Sequence, residues 1–231
     1  MFYFIALLIV VGEPKMQNEN LFYESQRTRM VHDQIEKRGV HDPEVLRALK
    51  EVPRHLFVPP HLKELAYVDS SLPIGYSQTI SQPYIVGFMS EAIQPKPTDH
   101  ILEIGTGCGY QAAVLSRLCQ KVFTIEIIEP LAQQAQKRLK ELGYTNIEMR
   151  QGDGYAGWPE AAPFDAIILT AAPEKIPDPL LQQLKVGGRI VLPVGNYYNQ
   201  KLLRLIKTED GFQEEELIAV QFVPMTGQIQ K

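Results

Sequence analysis

The rhythm of hydrophobic and polar positions changes near residue 98. Upstream, apolar positions recur at helical spacing: Met30 and Ile35 among charges over 24–39, then Val45, Leu46 and Leu49 behind Asp42-Pro43, a pair suited to a helix cap and first turn. The proline-punctuated VPRHLFVPPHL follows, and 83–94 reads as a further helix entered through Pro83. Downstream, short aliphatic runs alternate with helices: HILEI (100–104), VFTIE (122–126), IEMRQ (147–151), FDAIILT (164–170) and RIVLPV (189–194). Such runs suit strands covered on both faces. Between the second and third, Leu131, Ala135, Leu139 and Leu142 form the stripe of a crossover helix, with Pro130 in its first turn and Gly143 past its end. The expected fold is α/β: a Rossmann-like, doubly wound, mainly parallel sheet with helices on both faces, an N-terminal helical preamble and a C-terminal antiparallel hairpin. LLRLIKT and ELIAVQF supply that hairpin, about an Asp210-Gly211 turn.

Composition narrows this picture. A chain of 231 residues, 45% hydrophobic and 22% charged, can bury a proper core and is unlike a disordered or fibrous sequence. One domain is expected over 24–231, with 24–97 holding the preamble and 98–231 the sheet, behind an apolar, disordered extension over 1–23. The apolar stretch at its start, MFYFIALLIVVG (1–12), is shorter than the about 20 residues a bilayer span needs and lacks the basic start and cleavage site of a secretory signal. No stable membrane association is expected, and export is the lesser reading. The net charge of −4 supplies no field that gathers phosphate backbones, so no nucleic-acid partner is expected. Cys108 and Cys119 form no CxxC or Cys/His cluster, and the five histidines show no ligand spacing. No metal site is expected, the histidines read as surface or helix-end residues, and the compartment reads as reducing and cytoplasmic.

Candidate chemistry begins at EIGTGCGYQAAVL, after the first strand of the sheet. Gly105, Gly107 and Gly109 let the backbone turn tightly and bring its amides, with a helix N-terminus, against a ligand. A dinucleotide fingerprint would want glycine where Tyr110 stands, which disfavours an NAD-dependent oxidoreductase. Glu126 closes the second strand, where an acid can accept from both hydroxyls of a ribose, and Asp153 after the third could accept from an adenine amine. Ribose, amine and a tail on a glycine loop together describe S-adenosylmethionine. The bland alternatives are a tight turn at the glycines and a solvated strand end at Glu126.

With GYSQTISQPY added, the sequence resembles the class I methyltransferases, and within them the protein-L-isoaspartate (D-aspartate) O-methyltransferases. The matching segments are VPRHLFVPP, LPIGYSQTISQPY, ILEIGTGCGYQAAVL, GDGYAGWPEAAPFDAIILTAAPEKIP, VGGRIVLPVG and FVPMTG, across 30–228. The resemblance implies an enzyme moving a methyl group from S-adenosyl-L-methionine to the α-carboxylate of L-isoaspartyl and D-aspartyl residues in damaged proteins and peptides, which are then repaired through a succinimide. It implies a monomer. It also implies a cofactor held by Gln78, Thr79, Ile80 and Ser81 before the sheet, by Glu103, Gly105, Thr106, Gly107 and Cys108 in the glycine loop, and by Glu126, Ile127, Asp153, Gly154 and Thr226 beyond it.

A carboxylate is ionised at neutral pH, with a reference pKa of about 4, so attack on a sulfonium methyl needs no base. Alignment and exclusion of water are what remain. Neutral hydroxyls serve that end, and Ser81 is expected to be the catalytic residue that positions the substrate carboxylate, with Thr79 beside it and Leu192, Pro193 and Val194 bordering the peptide. Against this, Thr79 and Ser81 could merely cap the helix at Pro83, and 192–194 could be a plain buried strand end. Trp158 reads as a loop plug. Two further readings stay open: a class I methyltransferase of a small molecule or nucleic acid, and a protein that binds the cofactor without catalysis.

Overall fold

The computed structural model describes residues 14–196 and 198–227; the apolar stretch over 1–12 lies outside them. Helix α1 (Pro14–Met30) runs straight into a π turn (Val31–Ile35) and a 3-10 turn (Glu36–Arg38), ending at Gly39 with φ 99°. The first helix therefore starts well before residue 24. Tyr23, expected in the extension, is buried, with its ring stacked on His55 at a centroid distance of 3.9 Å. His55 is thus no surface residue: its Nδ1 lies 2.7 Å from Tyr67 Oη, and burial pushes its pKa down to about 4. No local periodicity encodes such a long-range ring contact.

Helix α2 (Pro43–Glu51) is capped by Asp42, whose carboxylate accepts the Glu44 and Val45 amides at 2.8 and 3.2 Å, and it buries Val45, Leu46, Ala48 and Leu49. A short antiparallel hairpin then appears that the residue pattern does not announce, β1 (Leu72–Gly75) with β2 (Gln78–Ile80). Tyr76 and Ser77 form its turn at φ 53° and 58°, the left-handed conformation of a primed turn. Helix α3 (Pro83–Ala92) leads into the sheet.

The sheet comprises β3 (His100–Ile104), β4 (Lys121–Glu126), β5 (Ile147–Gln151), β6 (Phe164–Leu169), β7 (Leu184–Asn196), β8 (Asn199–Thr208) and β9 (Gly211–Val220). Its order is β5-β4-β3-β6-β7-β8-β9, parallel from β5 to β7 and antiparallel beyond. Helices α4 (Tyr110–Leu115), α5 (Glu129–Glu141) and α6 (Asp178–Gln182) fill the connections. The closing hairpin is wider than expected, because β7 continues to Asn196 and turns directly into β8, making three antiparallel strands.

Burial drives this arrangement. Ile101, Leu102, Val122, Ile167, Ile168 and Val191 have no exposed surface, and each contributes about 1.5–3 kcal/mol relative to exposure. Trp158 plugs the same core, edge-on to Phe123 at 5.4 Å. Arg189 ties β7 to the end of α3: it meets Asp99 at 2.8 Å and donates to the Ile93 carbonyl at 2.7 Å. From β3 the chain winds out to β5 and then crosses to β6 on the other side, so the strand order switches beside β3, where ligands enter such sheets. After β9 the chain returns to this point. Ala172 donates to the Val223 carbonyl at 2.9 Å, and its own carbonyl accepts from Met225 at 2.8 Å. Among the described residues no helix is long and apolar enough to cross a membrane.

Candidate active site

The loop between β3 and α4 is shaped by its neighbours. Gly105 has φ 96°, and a Cβ there would collide with Thr170 Oγ1, which donates to the Gly105 carbonyl at 2.5 Å. The Gly105 and Thr106 amides both donate to the Ile125 carbonyl, at 2.9 and 3.2 Å, draping the loop over the end of β4. There Glu126 accepts the Gly107 amide at 2.7 Å on one oxygen and the Ile128 amide at 2.9 Å on the other. Each oxygen keeps capacity for one more donor, as two ribose hydroxyls would require.

Glu103 lies one layer below. It is wholly buried, Thr124 Oγ1 donates to it at 2.5 Å, and Thr124 in turn lies 2.6 Å from Thr106 Oγ1. Burial pushes the Glu103 carboxyl up to about 8, with the Glu126 charge adding to the effect. Burial thus favours the protonated form of Glu103 at neutral pH.

Above this floor is a partly open cleft. Gln78, Thr79, Ile80, Ser81, Gly105, Thr106, Gly107, Cys108, Glu126, Ile127, Gly154 and Thr226 all line it. Two expected residues do not. Glu103 supports the loop from below, and Asp153 accepts the Tyr155 amide at 2.9 Å while facing Gly227, whose Cβ would strike its Oδ1. Leu192, Pro193 and Val194 line neither this cleft nor the groove beside it.

That groove, about 770 Å³, shares Thr79, Ser81, Thr170 and Val223 with the cleft. Ser81 stands at the junction. The capping alternative fails, because Gln82 is the cap residue of α3 and no side chain accepts from the first turn. The Ser81 carbonyl accepts from Arg54 Nη2 at 2.7 Å. Thr170, Ala171 and 223–225 also line the cleft and were not singled out from sequence. Their signal was available: Thr170 follows β6 at the carboxyl ends of the strands, and 223–225 fall within FVPMTG. Among the described lining residues Glu126 is the one Asp or Glu, and His, Lys and Arg do not occur. Burial pushes the Cys108 thiol up, away from the reactive thiolate.

A parallel sheet with a switch point beside β3, a glycine loop on its edge and an acid closing the next strand define a class I methyltransferase. The profile described as Protein-L-isoaspartate(D-aspartate) O-methyltransferase matches residues 25–230, and the chain belongs to that family. A protein-L-isoaspartate O-methyltransferase of Picosynechococcus is 58% identical over 201 residues, covering 87% of this chain and 90% of the relative. A solved protein-L-isoaspartate O-methyltransferase superposes with TM-score 0.79 at 28% identity, covering 88% of this chain and 66% of its own, just under two thirds. A Plasmodium falciparum protein crystallised with S-adenosyl-L-homocysteine shares the fold, with TM-score 0.75 at 22% identity, covering 87% of this chain and 98% of its own.

Proposed function

We propose that the protein methylates the free α-carboxylate of L-isoaspartyl and D-aspartyl residues in damaged proteins and peptides, using S-adenosyl-L-methionine, and so starts their repair through a succinimide. The observation that carries this reading is Ser81, a neutral hydroxyl at the junction of the cleft beside the glycine loop and a wider groove. The residues fit the cofactor. Glu126 retains acceptor capacity on both oxygens. When bound, S-adenosyl-L-methionine supplies an electrophilic methyl group on a sulfonium. Glu126 and the glycine loop hold the nucleoside. Ser81 and Thr79 orient the arriving carboxylate by hydrogen bonding without neutralising it, so the anion keeps its nucleophilicity. Apolar lining from Ile80, Val86 and Val223 excludes water.

The reading includes a monomer acting in a reducing, cytoplasmic compartment, consistent with two free, buried cysteines. The test is transfer of labelled methyl from S-adenosylmethionine to two peptides that differ only in aspartate versus isoaspartate. Label on the isoaspartyl peptide alone is expected. Equal labelling of both, or of neither, overturns the reading.

A further inference from the structure

Arg54 is fully buried, with 0% exposure. Its Nε donates to the Ala66 carbonyl at 2.7 Å and its Nη2 to the Ser81 carbonyl at 2.7 Å. These two carbonyls stand at opposite ends of the segment that contains the β1–β2 hairpin, so one rigid planar fork closes that segment from inside. The guanidinium carbon also lies 4.9 Å from the centre of the Tyr110 ring. Both Tyr110 and Ser81 line the cleft, whereas Arg54 does not. Arg54 therefore stands one layer behind the wall and touches two of its residues.

Its charge is the unusual feature. Both acceptors are neutral carbonyls, and the Tyr110 hydroxyl beside the guanidinium is neutral as well, burial raising its pKa. Arginine keeps its proton in proteins, and a buried cation without a counter-charge is costly. Arg54 also polarises the peptide unit it grips: donation to the Ser81 carbonyl strengthens the N–H of the same unit, that of Gln82, as a donor.

We propose that Arg54 is a positioning residue for methyl transfer, whose fork fixes the loop carrying Ser81 and whose uncompensated charge favours an anionic carboxyl group over a neutral one at the junction. The inference rests on the functional reading above. A cation set behind the wall draws in the carboxylate without touching it, which preserves the nucleophile that a direct lysine contact would damp.

The experiment compares wild type, Arg54→Met and Arg54→Lys by calorimetric binding of an isoaspartyl peptide, its α-carboxamide analogue and S-adenosylhomocysteine, with kcat and KM for the isoaspartyl peptide. In Arg54→Met the preference for carboxylate over carboxamide is expected to fall about tenfold, with S-adenosylhomocysteine affinity within about twofold of wild type. In Arg54→Lys the preference persists, while kcat falls about tenfold because lysine cannot span both carbonyls. Equal weakening of both peptides by Arg54→Met shows a merely structural role and overturns the proposal. Should Arg54→Met fail to fold, Arg54→Lys decides: lowered kcat with preference retained supports the inference, and unchanged kcat overturns it. A wild type that shows no preference for isoaspartyl over aspartyl peptide removes the functional reading and this inference together, whereas a selective wild type with an unaltered Arg54→Met removes this inference alone.

Discussion

The Gly107 amide donates to Glu126 Oε2 at 2.7 Å, fastening the loop after β3 to the acid that closes β4. One carboxylate thus shapes the glycine loop and faces the cleft that the loop walls. Glu126→Ala removes both roles, and S-adenosylhomocysteine affinity is expected to fall ten- to a hundredfold, about 1.4–2.8 kcal/mol. Calorimetric titration checks this, and an unchanged dissociation constant would take Glu126 off the ribose.

Ser81 should behave in the opposite way. Arg54 grips its carbonyl, so the loop stays in place when the hydroxyl alone is removed. Ser81→Ala is expected to leave S-adenosylhomocysteine affinity within about twofold while kcat on an isoaspartyl peptide drops about ten- to a hundredfold, or 1.4–2.8 kcal/mol of barrier. Single-turnover rates beside binding titrations separate the two. A large loss of cofactor affinity would assign Ser81 to the cofactor instead.

How much of this was legible from residues alone follows the range of the interactions. The parallel strands and α5 were readable because their signals are local: aliphatic runs, Pro130 at a first turn, Gly143 past an end. Most of the cleft followed, since the glycine loop and the carboxyl ends of β3 and β4 lie at positions the topology dictates. What escaped depends on contacts far apart in sequence. The β1–β2 strands are too short to show a period, Tyr23 packs because His55 meets it across the fold, and Arg54 reaches Ser81 over a sequence separation of 27. Asp153 was placed on the cleft by strand position, yet its carboxylate is turned toward the Tyr155 amide and the C-terminal return.

Gly154 is held by packing. A Cβ there would collide with Ile104 Cγ2 and lie 3.4 Å from Met225 Cε, both in the dense floor of the cleft. Gly154→Ala should cost about 1–3 kcal/mol by overpacking, and Ile104→Ala should relieve part of that cost in the double variant. Gly152→Ala, which meets nothing within 4 Å, is the control and should stay within about 0.5 kcal/mol. Urea unfolding of the set reads out all three values. Additive single costs would show that Ile104 is not what excludes the methyl group.

Glu103 makes stability depend on pH in a direction opposite to that of a salt-bridged acid. Its folded pKa of about 8 lies above the unfolded value of about 4.3, so the folded state holds a proton that the unfolded chain releases between these limits. Below about pH 4 both states are protonated and the group contributes nothing. As pH rises toward 8, unfolding is increasingly favoured, by up to about 1.4 kcal/mol per unit, and the effect levels off above the folded pKa. Glu103→Gln removes this titration while its amide oxygen can still accept from Thr124. The variant should therefore gain on wild type steadily from pH 5 to pH 8 in denaturant unfolding, with little change in the gap beyond. A stability difference that stays flat across the range would mean that Glu103 is ionised in the folded protein.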